Sequence, residues 1–219
     1  NPEVLGALRN SVTLAVVGGI LTGVVGMCIG YAVARGRGTV LAKGLEQISF
    51  VPMLIPSIVF GSIYLTLFAV PRGIIPSLYG TFALLVIVTI GKQMPYTTRS
   101  GISSMLQVAG DLEEAALIQG VPWRRRFARI MLPLTKNGFV AGSLIVLITT
   151  MRELSLYILL VTPANRVLPT ITFGFIQEGN KQISYAITML LIIVVLFLTV
   201  AVKAWQKTDL ASGIGGTGK

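Results

Sequence analysis

The sequence has no histidine, one cysteine and few charges: 12% of its 219 residues are Asp, Glu, Lys or Arg. Each scarcity removes a class of function. Without histidine there is no Ser-His-Asp triad, no histidine-ligated zinc and no histidine-held haem. A lone Cys28 permits no internal disulfide and, lying in an apolar run, reads as a small packing residue. The acids are scattered apart from Glu113 and Glu114, so no metal site is expected. Soluble domains carry about 25% charged residues. Half that share, with 53% hydrophobic residues and a mean hydropathy of +0.81, leaves too little polar surface for a water-soluble globule. Lipid is the solvent this composition asks for.

The net charge of +10 would point to nucleic acid in a soluble protein. In a membrane protein the same excess is the loop bias that sets orientation, so no nucleic-acid partner is expected. A bilayer core takes about 20 apolar residues as a helix. Five stretches qualify as spans: 12–34, 48–70, 77–94, 137–160 and 183–205. The first carries Gly19-Gly23 and Gly26-Gly30, small-xxx-small pairs that let helix backbones approach closely. A signal peptide is the rival reading of this stretch, but its apolar run is too long and further spans follow. The second holds Pro52 and Pro56, whose freed carbonyls need protein or a water cavity to satisfy them. With Asn rather than Met at position 1, the sequence reads as processed or excised from a longer chain. Residues 1–207 are expected to form one membrane domain and 208–219 a flexible tail.

Thirteen of the 18 Lys and Arg fall on the side of the 35–47 loop, the 91–136 loop and the tail. Arg9, Arg72, Arg166 and Lys181 fall on the other side, and Arg152 lies within a span. By the positive-inside rule the N-terminus is outside and the C-terminus in the cytoplasm. No internal repeat is visible, which disfavours a self-contained inverted-repeat transporter.

The 91–136 loop is too patterned for a simple connector. Residues 96–109 read as a helical continuation past Pro95. Asp111, followed three residues later by Glu114, reads as a capping box opening a helix over 112–119. Gly120 sits where a left-handed C-terminal residue is wanted, with Pro122 just beyond. Ala115 and Ala116 give that short helix a small face suited to docking in a groove. A second helix over 122–132 puts Trp123, Phe127, Ile130 and Met131 on one face and Arg124, Arg125 and Arg129 elsewhere. That is the pattern of a helix lying in the membrane interface, ended by Pro133.

Here the residues resemble a known family. Glu114-Ala115-Ala116, then Gly120, then Ile130 and Leu132-Pro133, at these spacings, look like the EAA loop of ABC importer permeases. The resemblance implies an all-α integral membrane fold, the five-helix core of the type-1 transmembrane domain with a cytoplasmic coupling-helix loop at 96–136. It implies a bacterial inner-membrane permease subunit with no enzymatic activity, no cofactor and no ATPase of its own. Its expected partners are ABC ATPase subunits that use ATP, a second permease half, identical or homologous, an extracytoplasmic solute-binding protein and membrane lipid.

Met151-Arg152-Glu153-Leu154-Ser155 resembles permeases of the ferric-iron type, which makes ferric iron the first cargo to consider. Phosphonate, thiamine and polyamine permeases stay open. So does another class, an ion-gradient carrier or an assembly subunit of a membrane complex. Arg152 and Glu153, charged neighbours inside a span, are candidates for the translocation path. The terminal Gly213–Lys219 run imitates a phosphate-binding loop but lacks the Ser or Thr after lysine and the strand before it.

Overall fold

The computed structural model describes residues 2–71, 73 and 76–214, with side chains through 204. Every regular element among them is helical. α1 (Pro2–Arg35) is the axis, 34 residues and about 50 Å long, and α4 (Phe82–Leu106) and α8 (Lys136–Arg152) pack against it. Between α1 and α4 come α2 (Val40–Leu54) and α3 (Ser57–Phe68); α5 (Gly110–Ile118), α6 (Trp123–Arg126), a π-helical turn (Phe127–Met131) and α7 (Leu132–Leu134) lead into α8. The chain closes with α9 (Leu168–Gln177) and α10 (Lys181–Ile214).

Both glycine pairs of α1 are spent on close approach. A Cβ on Gly30 would lie 2.5 Å from the carbonyl carbon of Gly101, and one on Gly101 would lie 2.6 Å from the Gly26 carbonyl oxygen. Thus Gly26 and Gly30 admit α4, while Gly19 and Gly23 admit Ser143 of α8. Cys28 falls on the opposite, exposed face, so the expectation that it packs is corrected: the glycines, not the thiol, make the contact.

The second expected span is broken. α2 and α3 meet at 103° across Ile55-Pro56. Pro56 cannot donate to the Pro52 carbonyl, so one helical bond is lost at the break. Lys92 of α4 fills the gap, its Nζ donating to Pro52 O at 2.9 Å and Ile55 O at 2.5 Å. At the break itself one ammonium thus satisfies the carbonyl freed by Pro56 and that of Ile55.

α4 does not read as a membrane span by apolarity, although it is long enough. Its polar residues Thr89, Gln93, Thr97 and Thr98 are buried inside the bundle and not presented to lipid. By length and apolarity α1 and α10 (to Ala204) qualify as spans, and the two bent pairs raise that number to four. α10 runs on to Ile214, so 208–214 is helical where a loose tail was expected; Gln206, Lys207, Leu210 and Ala211 are ordinary helix formers with no break before Gly213. Residues 215–219, and Arg72, lie outside the described residues.

The fourth expected span, 137–160, is corrected too. α8 stops at Arg152, and 153–160 fold into turns. Glu153 Oε1 accepts from the Leu156 N–H at 3.1 Å, a side-chain cap that competes with continued helix. The turns bury Leu156, Tyr157 and Leu160 against Leu14, Leu84, Leu85 and Val88. Thr89 gives its hydroxyl proton to Leu85 O, so Tyr157 donates to Thr89 Oγ1 at 2.7 Å. These residues are apolar because they plug the bundle, not because they cross lipid. α9 was not foreseen from the sequence; it packs beside α10, with Leu168 N–H donating to Ser11 Oγ at 2.7 Å.

Candidate functional site: a tethered surface helix and a polar cavity

Beyond the α4 end of the bundle stands α5. Its C-terminus closes as the glycine position foretells: Gly120 has φ +71, its N–H donates to Leu117 O at 2.9 Å, and Val121 N–H donates to Ala116 O at 3.0 Å. That pair of bonds is a Schellman motif. The start differs from the expected capping box. The helix begins at Gly110 with Ala109 as its N-cap and no side-chain cap bond, so Asp111 and Glu114 lie inside the first turns. There Asp111 stands where the helix dipole favours a negative charge. α5 is held in place by a residue further along it.

That residue is Glu113. Its Oε1 accepts from the Tyr31 hydroxyl, and its Oε2 pairs with Arg35 Nε at 2.8 Å. Arg126 Nε stands 3.7 Å from Oε1 and makes no hydrogen bond, while its Nη1 donates to Val121 O at 3.0 Å. Glu113 therefore ties α5 to the end of α1, and Arg126 ties the following turn to the same carboxylate. Tyr31 also stacks into an aromatic cluster, edge-on to Phe127 at 5.3 Å and tilted to Trp123 at 6.0 Å. Of the aromatic face of 123–131, expected to meet lipid, Phe127 and Met131 pack on α1, while Trp123 stays 49% exposed.

α5 leaves Leu112, Leu117 and Ile118 exposed, the last at 86%: Ile118 points outward among exposed Asp111, Glu114 and Ala115, and the two leucines flank the inward side. Ala116, expected in the docking face, is buried against the chain itself and so is corrected to an inward contact. Ile130 is half-buried; Leu132 and Pro133 are exposed. Pro133 does not end its helix. The π-helical turn absorbs the strain, and the 73° bend into α8 falls at Thr135.

At the inner end of α8 the two other candidates meet. Arg152 and Glu153 line a cavity of about 340 Å³ with Ser57, Lys92, Gln93 and Thr149. Neighbours on a helix point about 100° apart, yet both reach this space because the helix ends between them. Thr149 Oγ1 donates to Gln93 Oε1 at 3.2 Å, and Lys92 also lies 5.6 Å from the Phe60 ring centre.

One family model, the binding-protein-dependent transport system inner membrane component, matches residues 26–208. The chain belongs to that family. The molybdate/tungstate transport system permease protein WtpB of Pyrococcus abyssi is 30% identical over 146 residues, 66% of this chain and 55% of WtpB. The ferric transport system permease protein FbpB of Actinobacillus pleuropneumoniae is 24% identical over 190 residues, 87% of this chain and 27% of FbpB. The chain therefore spans about half the length of the first relative and about a quarter of the second. Among solved structures, the MetNI methionine ABC transporter superposes with a TM-score of 0.76 at 18% identity, covering 94% of this chain and 95% of that one. A bacterial ABC transporter involved in the import of the acidic polysaccharide alginate gives 0.77 at 16% identity, covering 95% and 80%. The fold is that of an ABC importer transmembrane domain.

In this permease the sequence pattern left out Tyr31, Arg35 and Arg126, the partners of Glu113. A signal for the first two was present: four residues apart on α1, they share a helix face. Lys92, Gln93 and Thr149 carried no such signal, since only the fold brings α4 and α8 together at Arg152.

Proposed function

We propose that this permease forms one half of a two-fold or pseudo-two-fold translocation path in the inner membrane, driven by two ATPase subunits and fed by a solute-binding protein. α5 is its coupling helix. Glu114, Ala115, Gly120, Ile130, Leu132 and Pro133 belong to the motif that meets the ATPase, with Ala116 seating α5 on its own chain. The observation that carries this reading is the exposed surface of α5, with Leu112, Leu117 and Ile118 uncovered and the helix held at the bundle end by one carboxylate. A docked partner would cover that surface; ATP-driven closure of the ATPase pair would then move α5 and, through Glu113, α1. Ferric iron is the proposed cargo, supported by the resemblance at 151–155 and by relatives described as ferric permeases.

Gly120→Val tests the coupling role. Nothing lies within 4 Å of a Cβ there, so the cost is conformational alone, about 1 kcal/mol or more at positive φ. That is small for the bundle and large for a nine-residue helix. Expected is normal permease abundance with reduced recovery of the ATPase subunit in detergent pull-down. Full recovery, or loss of the permease itself, would sink the assignment.

The proposed orientation keeps the N-terminus outside and the α5 end cytoplasmic. The exposed Glu3–Arg166 pair, at 2.5 Å, marks the opposite end of α1 from Arg35. Single cysteines replacing Arg37 and Arg125, in a Cys28→Ser background, should react with an impermeant reagent in inside-out vesicles only. One replacing Arg166 should react in right-side-out vesicles only. Labelling of 125 and 166 from the same side would overturn this orientation.

A further inference from the structure

The cavity at the end of α8 has a charge and donor balance that specifies more than a passage. Arg152 ends a 17-residue helix, about 25 Å from Lys136, and Lys92 lies about 21 Å from the Leu106 end of α4. Both cations therefore lie well away from the loop ends of their helices, Arg152 exposed and Lys92 half-buried, at a depth where charges mark functional sites by default. They face one acid.

The three charges are not equally free. Lys92 is held by the Pro52 and Ile55 carbonyls and cannot swing away, so it is a fixed positive charge. One oxygen of Glu153 is occupied by the Leu156 N–H. Gln93 is buried and its Oε1 is taken by Thr149, which leaves its NH2 as a donor. Arg152 makes no hydrogen bond or ion pair with any described residue, so its guanidinium N–H groups are all available. The uncommitted groups are chiefly donors on a net positive lining. A free ferric ion finds the reverse of what it needs: two positive charges and one half-engaged carboxylate, where hard cations ask for several anionic oxygens.

We infer that the cavity passes an anionic, oxygen-rich cargo, with Arg152 as the group that contacts it and Lys92 as the fixed charge that attracts it. Iron, if carried, crosses as a complex whose oxyanion ligands leave it net negative. The inference rests on the reading of this cavity as part of the translocation path. A planar guanidinium suits two oxygens of one anion, which a lysine does less well. Glu153, adjacent and negative, keeps the hold weak enough for release.

The charge selectivity can be measured without knowing the cargo. Ser57→Cys, made with Cys28→Ser, places a thiol in the cavity. Membrane vesicles of both orientations containing the assembled transporter are treated with anionic sulfonatoethyl and cationic trimethylammonioethyl methanethiosulfonate. The ratio of the two rates is normalised to that of free 2-mercaptoethanol. Expected is a ratio favouring the anion about tenfold over the free thiol, the scale of electrostatic focusing in a charged cleft. Arg152→Gln should remove most of that preference and Arg152→Lys should keep it, at unchanged permease abundance.

Labelling by both reagents with no anion preference overturns the inference and leaves the path reading standing. So does a preference that Arg152→Gln does not alter. No labelling by either reagent from either side removes the path reading itself. Protection of the thiol by sodium tungstate assigns a free oxyanion as the cargo, and protection by ferric citrate with tungstate inert assigns a complexed metal. Protection by maltose where both anions fail overturns the anionic assignment.

Discussion

Replacing Glu113 by Ala is expected to release α5 from the bundle while leaving the membrane domain assembled. The carboxylate is only 12% exposed and serves Tyr31 and Arg35 at once, with Arg126 in reserve at 3.7 Å. A hydrogen bond to a charged group contributes about 1.5–3 kcal/mol. Losing about 2 kcal/mol shifts the docked population of α5 by roughly 30-fold. The bundle itself does not depend on this pair, since α1, α4 and α8 meet through glycines and buried side chains further along. Amide hydrogen exchange over 110–121 should therefore accelerate by about that factor in detergent-solubilised permease. Exchange in the middle of α1 should not change. Glu113→Gln should fall between, because an amide oxygen can still accept from Tyr31 but holds Arg35 without charge. Glu114→Ala removes an exposed carboxylate with no partner among the described residues and should leave exchange alone. Wild-type exchange rates in Glu113→Ala would show that α5 is held by something else.

The contrast between these adjacent acids explains much of what could and could not be read from residues alone. The spacing from Glu114 to Pro133 is legible because a partner-facing motif is local: a short helix, a left-handed glycine, then a proline-bearing helix. The glycine pairs of α1 are legible for the same reason, since their meaning depends only on sharing one face. Glu113 is different. Its role is set by Arg35 and Arg126, each remote in sequence, and nothing about Glu113 as a residue separates it from Glu114. The apolar run 153–160 misleads for a related reason. Hydropathy counts apolar residues but does not distinguish burial in lipid from burial under Leu84 and Val88. Averaged over the whole of α4 the same count errs in the opposite sense, because its polar residues are turned inward, although 77–94 by itself reads as a span. Two prolines announce a disturbance in the second span, but neither the angle of 103° nor Lys92 of α4 as the donor to the Pro52 and Ile55 carbonyls can be read from them.

The largest effect on assembly is expected from the smallest change, Gly30→Ala. Helices in lipid gain little from the hydrophobic effect when they pair, so close backbone packing supplies most of their association. A Cβ at position 30 would lie 2.5 Å from the Gly101 carbonyl carbon and 2.7 Å from the Ile102 nitrogen. Both are backbone atoms in a continuous helix, and neither can turn aside as a side chain would. Relief requires moving α1 and α4 apart along their shared length, which loosens Met27 and Met105 in the cluster beside them. Overpacking of this kind costs about 1–3 kcal/mol or more, and even a gap of 0.5–1 Å forfeits a quarter to a half of each contact's attraction. Gly101→Ala meets the Gly26 carbonyl oxygen at 2.6 Å and should behave alike. Gly6 and Gly44 have nothing within 4 Å of a Cβ, so Gly6→Ala and Gly44→Ala are the controls and should be silent. The measurement is folded permease recovered from membranes, by detergent solubility and size-exclusion profile. Gly30→Ala and Gly101→Ala should fall about tenfold or more below the controls, a drop that about 1.4 kcal/mol already produces in a two-state equilibrium. Recovery equal to Gly6→Ala would mean that α1 and α4 do not meet through these glycines in the membrane.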